Sequence, residues 1–382
     1  MGLKGPGSDL TFKKNARLTE LCRTFGLAKR RGFRSLTPYA LHQGLKLMDV
    51  FFGHLNEFAI EPVTKTFVGV FDHNGRFGLP FLLISGLVAY ALFCFRRSRG
   101  LATASSFWEF VGGSKVNFHR SALLDYSYYF LFAILNAVLI LPVIALVDPY
   151  VFESGDYITF FSNLWGERPQ LGENTSLSLL YGLGLFLVRG FKHYWVHRLF
   201  HANEWLWEFH KVHHSAPVLV PATAKRIHFV EKFAERIASL IFVALYAGSF
   251  WYAAGGEISR YTLFGITYTT IIFNSLAANL RHSHVWLSFG PRIEHIINSP
   301  AQHQIHHSDL PEHYNMNYGT NLSIWDWMFG TLYVTTSNPE PIRFGTGNPD
   351  ADKRYSTLYG LIVMPIVEIS KKMKRKMALA AG

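Results

Sequence analysis

Histidine is the residue type this sequence concentrates. Of 18 histidines, six lie between His193 and His214 and seven between His282 and His313. Their spacing repeats as His197-x-x-x-His201, His210-x-x-His213-His214 and His303-x-x-His306-His307. On a helix, side chains three and four apart share a face, so His197 and His201 aim at one point, as do His210, His213 and His214. His193 extends the first stripe by one turn. Neutral imidazole is a metal ligand, whereas grouped imidazoles without a metal repel when protonated and must be satisfied when buried. The eight box histidines exceed the about four ligands of one zinc ion, which makes two metals the economical reading. Imidazole suits Fe, Zn, Cu and Ni, and spacing does not choose among them. His42, His54, His73 and His119 stand alone and read as surface or packed side chains.

Other chemistry is sparse. Cys22 and Cys94 are the only cysteines, which excludes a disulfide framework and a thiolate metal site. Neither a GxGxxG after a strand nor a P-loop is present, so reducing equivalents must come from a separate protein. HExxH is absent too, which counts against a zinc-dependent membrane hydrolase. A histidine-rich metal transport or storage protein is the other alternative, and it would line a path through the bilayer rather than group histidines beyond the span ends.

The elements that must position these boxes are apolar. Of 382 residues, 49% are hydrophobic and only 16% charged, against roughly 25% charged in soluble chains. Candidate spans are 78–95, 128–147, 177–188, 237–255 and 261–280, judged against the roughly 20 apolar residues that cross a bilayer. Arg96, Arg97, Arg99, Lys115 and Arg120 follow the first, and acidic residues dominate the loop after the second. The positive-inside rule puts 96–127 in the cytoplasm and, by alternation, both histidine-rich stretches on that same face. The count leaves the amino terminus outside, against the rule, unless the first run is re-entrant or residues 40–70 add a membrane segment. Residues 1–46 carry ten basic side chains against Asp9 and Glu20, with Leu10, Leu18, Leu21, Cys22 and Phe25 at helical spacing. That pattern reads as a helix on a lipid surface, with a disordered basic tail or a transit peptide as alternatives. The net charge of +11 is read as lipid or partner contact, not as nucleic-acid binding.

Phe191 to Ser215, FKHYWVHRLFHANEWLWEFHKVHHS, resembles the YW-x-HR-x-x-H and LW-x-x-H-x-x-HHS core of the fatty acid hydroxylase and sterol desaturase superfamily. Arg226-Ile-His228-Phe-Val-Glu231 resembles its R-x-HP-x-E segment. Ser299 to Ser308, Asn317-Tyr318-Gly319 and Ile324 to Thr331 are similar to its closing TP-x-x-H-x-x-HHS, NYG and IWD-x-x-FGT elements. The match covers about residues 125–335. It implies an integral-membrane, non-haem diiron oxygenase with an all-histidine site: two irons per chain, O2 as co-substrate, and an external cytochrome- or ferredoxin-type donor. The implied reaction is hydroxylation or desaturation of a lipid or sterol.

Carried over onto this chain, the ligands are His197, His201, His210, His213, His214, His282, His303, His306 and His307, with His193, His228 and His284 as possible additions. His295 and His313 read as supporting residues. Glu208, Glu231, Asp309, Asn317 and Asp326 are candidates to hold the outer ring N–H groups that metal-bound histidines donate. Three positions depart from the family pattern: Gly190 where many members are acidic, Phe229 for Pro, and His284 for Asn. The expected fold class is all-α: a multi-pass transmembrane helical bundle under a cytoplasmic histidine-rich cap that holds a dimetal site. Its organisation is a basic, partly amphipathic region 1–75, a catalytic unit 76–335 and a basic-tailed region 336–382. The expected location is a bacterial inner membrane or the endoplasmic reticulum.

Overall fold

The run LPFLLISGLVAYALFCFRRS has its one proline in the first turn, where the missing N–H is not needed, and forms α1 (Leu79–Ser98). Arg96 and Arg97 in its last turn complement the helix dipole. The structure, a computed structural model, describes residues 53, 60–68, 75–101, 104–147, 153–263, 266–276 and 278–381. The basic amphipathic segment expected within 1–46 lies outside the described residues.

Helix α2 (Arg120–Leu135) starts where His119 accepts the Ser121 N–H, and it runs through a π-helical turn, Asn136–Ile140, into Leu141–Val147. Pro142 accounts for the widened turn, because its ring clashes with the carbonyl four residues back and it lacks the N–H of a regular ladder. The acid-rich loop folds in part as α3 (Ser154–Trp165). Asn174 then caps α4 (Thr175–Ala202) by accepting the Leu177 N–H at 3.0 Å. A short break leads to α5 (Leu206–His214) and then to α6 (Phe229–Ala254), which Gly255 ends at φ 72°.

Helices α4 and α6 pack against each other, with Tyr181 stacked on Tyr246 at 5.7 Å and a core of Tyr181, Leu185, Ala247, Ala254 and Ile258. Gly248 lets α3 reach α6, since a Cβ there would sit 2.5 Å from the Ser154 carbonyl oxygen and the Tyr157 Cβ. A second core of Tyr128, Phe132, Val212, Tyr355 and Leu361 joins α2, α5 and a C-terminal helix. Residues 58–382 form one compact unit.

Leu79–Ser98, Arg120–Ile144 and Phe229–Ala254 are the helices, among the described residues, long and apolar enough to cross a membrane. Only 22–28% of each apolar window is buried in protein, so most of that apolar surface needs another apolar medium. Two expected spans come out differently. Residues 177–188 are half of α4, whose other half carries Arg189, Lys192 and the histidines, so the helix as a whole is not apolar enough. The described residues of 261–280 form no long helix. They fold as an antiparallel pair, β1 (Thr262–Leu263) and β2 (Ile266–Thr267), then α7 (Tyr268–Ser275) and the 3₁₀ turn Ala278–Leu280. This pair is a small exception to an all-helical fold. The segment still returns the chain to the histidines, along α4, where Phe273 stacks on Phe186 at 4.1 Å.

Past the histidine-bearing α8 (Pro300–His306), the C-terminal helix α9 (Leu358–Ala381) packs on α5. Lys372 reaches Glu208, and Lys376 reaches Glu204.

Candidate metal centre

Nine histidines converge in two neighbouring groups, and in each the candidate ligand atoms lie within 4.8 Å of one another. The first contains His197 and His201 from α4, His210 and His214 from α5, and His306 from α8. The second contains His213 from α5, His282, and His303 and His307 at α8. Spacing alone had aimed all of His210, His213 and His214 at one point, and the structure divides that box. The i, i+4 pair of α5 joins the first group and its odd member joins the second. Helix α8 does the reverse, with His303 and His307 in the second group and His306 in the first. His214 and His307, one from each group, stack at 4.7 Å.

Eight of the nine are buried, all but His201. Burial first, then mutual repulsion, holds His210, His214, His282, His303 and His307 well below the usual imidazole value. Burial likewise lowers His213 to about 3 and His306 to about 4. Neutral imidazole is the ligating form. Nitrogens also face one another as common ligands would: His197 Nε2 lies 3.0 Å from His210 Nε2, and His282 Nε2 lies 3.1 Å from His303 Nε2. Imidazoles bound at about 2.0–2.1 Å to one ion sit roughly 3.0–3.4 Å apart. The buried Nε2 atoms of His201, His214, His306 and His307 have no protein partner. Uncharged, converging, unpartnered donors fit a pair of metal ions and have no other evident stabilisation.

Several ring orientations are fixed from outside. His210 Nδ1 donates to Glu231 Oε2 at 2.9 Å. His197 Nδ1 donates to the Tyr318 carbonyl at 2.7 Å, and His306 Nδ1 to the Met316 carbonyl at 2.9 Å. Asn317, between those two carbonyls, has φ 56° and bonds Gln302 and Tyr333. Asp326, fully buried, accepts the Tyr318 and Gly319 N–H groups and the Thr331 hydroxyl. The NYG and IWD segments therefore aim two backbone carbonyls at the first group. A Cβ on Gly319 would meet Asp326 Oδ2 at 2.7 Å. Burial raises the Asp326 carboxyl to about 6.

Other candidates are placed elsewhere. His228 caps α6, accepting the Val230 N–H and bonding the Ile362 carbonyl, so both ring nitrogens are used. His284 accepts the Leu219 N–H at 3.3 Å and belongs to neither group. His193 pairs with Glu235 at 2.8 Å. Glu208 pairs with Lys211 and Lys372, and Asp309 with Arg343, so neither carboxylate meets a histidine. His295 bonds the Pro291 carbonyl, and His313 bonds Ser308.

Sequence reasoning missed Glu235, four residues after Glu231 and on the same helix face, which binds both Lys192 and His193. It missed Asp125, whose signal was a lone acid in an apolar run. Asp125 pairs with the buried Arg226 at 3.0 Å, and Arg226 also ties the Val212 carbonyl, Ser215 and the Tyr355 carbonyl around the end of α5. Glu294, buried and bonded to Ser288, Ser299 and Thr335, anchors the start of α8 and left no sequence signal.

Residues 182–331 match the protein-family model for fatty acid hydroxylase. An alkylglycerol monooxygenase of Xenopus tropicalis is 30% identical over 164 residues, 43% of this chain and 32% of that protein. An ornithine lipid hydroxylase of Rhizobium tropici is 28% identical over 179 residues, 46% of each chain. A very-long-chain aldehyde decarbonylase of Oryza sativa subsp. indica is 26% identical over 144 residues, 37% of this chain and 22% of that one. The chain thus spans less than half the length of these curated relatives. No solved structure matches it.

Proposed function

From the match of residues 182–331 to the fatty acid hydroxylase family model, we propose that the chain is a membrane-bound diiron oxygenase that hydroxylates or desaturates a lipid or sterol. The observation that carries this reading is the pair of adjacent, buried, all-histidine groups. Iron would be held by His197, His201, His210, His214 and His306 in one group and by His213, His282, His303 and His307 in the other. When bound, the two irons supply the capacity to activate O2 against an unactivated C–H bond.

The protein's own part is positioning. Glu231 and the Met316 and Tyr318 carbonyls hold ring N–H groups, which fixes which nitrogen of His210, His306 and His197 faces inward. Burial keeps the ligands neutral. A cavity of about 270 Å³, lined by His201, Trp207, His214 and His306, gives O2 a route to the first group. The apolar helices α1, α2 and α6, long enough to cross a membrane, support a site beside the membrane, on a face we assign to the cytoplasm.

Electrons come from a separate cytochrome- or ferredoxin-type protein in this reading. The basic cluster 371–376 is an incomplete dock for it, since Lys371, Lys372 and Lys376 are already paired with Glu368, Glu208 and Glu204. Neither histidine group contains a carboxylate, which disfavours a hydrolase with a carboxylate base.

The test is metal content by mass spectrometry on anaerobically purified protein, with Mössbauer spectroscopy after iron reconstitution. About two irons per chain with exchange coupling are expected. Tightly held zinc that iron does not replace, with no O2-dependent turnover, would overturn the proposal.

A further inference from the structure

Between α4, α7 and the Thr320–Asn321 loop lies a cavity of about 210 Å³ that the metal site does not use. Arg189 and Arg260 line it, with Thr270, Asn274, Asn321 and His193, and no Asp or Glu is among its lining residues. The two guanidinium groups are close enough to repel each other. Among the described residues neither has an ion-pair partner, whereas Lys192, on the same helix as Arg189, has Glu235.

The wall behind carries further donors without acceptors. Arg281 is 2% exposed, donates Nη1 to Asn321 Oδ1 at 2.8 Å, and leaves Nε and Nη2 unpartnered. Trp325 Nε1, also buried without a partner, lies 3.1 Å from where a Cβ on Gly190 would stand, and Gly190 lines the cavity. Arg189 and Arg260 are exposed, while the buried Arg281 behind them has Asn321 as the one acceptor for its guanidinium; buried donors left over are costly, and this surplus of N–H groups suits an oxygen-rich anion. Leu185 and the stacked Phe186 and Phe273 give the wall an apolar side, and Thr267, Thr269 and Thr320 complete the lining. His193 closes the side toward the metals, its ring 5.3 Å from that of His197.

We infer that this cavity is a headgroup site: it takes the oxyanion, a phosphate or carboxylate, at the polar end of a lipid and holds that end one helical turn from the first histidine group. The inference rests on the lipid-oxygenase reading and narrows its substrates to acidic lipids. Planar guanidinium groups suit either oxyanion by paired N–H bonds, and the phenylalanines accept the first carbons of the chain.

The experiment measures binding of dodecyl phosphate, dodecanoate, dodecanol and inorganic phosphate to the full chain in detergent, with Arg189→Gln, Arg260→Gln and the double variant alongside. Iron content is determined on every sample. Both anionic lipids are expected to bind at least about tenfold more tightly than dodecanol, and the preference should fall to about threefold or less in the double variant, at unchanged iron content. Equal affinity for charged and neutral chains in the unaltered protein would overturn the inference, as would a preference that survives the double variant. Displacement of dodecyl phosphate by an equal concentration of inorganic phosphate would overturn the lipid assignment in favour of a free-anion site. A head preference in a protein that holds no iron and turns over no lipid would sink the oxygenase reading and leave the headgroup site standing. Turnover of neutral lipids with no head preference would do the opposite.

Discussion

His213 and His306 are the residues that cross between the two groups, each leaving its own box to join the partner helix's pair. Removing either takes a ligand from one group and leaves the other's set complete. His213→Ala and His306→Ala are each expected to retain at most about one iron per chain and to lose O2-dependent turnover, with affinity at the damaged group falling by more than the roughly 10–100-fold that loss of an orienting partner costs. Metal analysis and membrane fractionation check this, since neither change touches an apolar helix. Two irons retained in both variants would remove these positions from the site. At this scale spacing and family resemblance were enough to name the nine histidines that converge. They did not separate ligands from caps: His228 sits in a matching motif, yet its partners are the Val230 N–H and the carbonyl of Ile362, 134 residues away. Glu208 was unreadable for the same reason, because Lys372 comes from a helix far down the chain.

Helix contacts were legible where one apolar run makes one element, as in α1 and α6, and not where a run is interrupted. Residues 261–280 are apolar enough on average, but the hairpin at β1–β2 and the short α7 divide them. The close approach of α3 to α6 was equally hidden, because it depends on one missing side chain. Gly248→Ala improves helix propensity by up to about 1 kcal/mol, yet its Cβ would stand 2.5 Å from α3 backbone. The contact wins, and a net destabilisation of about 1–3 kcal/mol is expected. Gly86→Ala in α1 is the control, since nothing lies within 4 Å of its Cβ, and it should be neutral or stabilising by up to about 1 kcal/mol. Thermal unfolding in one detergent compares the two. Equal shifts would refute the tight α3–α6 contact.

For the molecule as a whole, the buried histidines set the response to acid. In the metal-free protein their folded pKa values lie below 6.5, down to about 4 for His306 and about 3 for His213, while the unfolded chain protonates near 6.5. Below 6.5 the unfolded state therefore binds more protons, and stability falls as pH drops from 6.5 toward 4. Above 6.5 these groups contribute no slope. A melting temperature of the metal-free protein that stays flat between pH 7.5 and 5 would contradict their burial as neutral bases.

The exchange of ligands between α5 and α8 also bears on how the protein is made. The first group needs His306, and the second needs His303 and His307, so a chain still emerging from the ribosome holds only partial sets until it has passed residue 307. By then α1, α2 and α6 have all been synthesised. In the diiron reading proposed above, iron delivery therefore follows synthesis of those three apolar helices, and the centre is filled in a chain that already carries them.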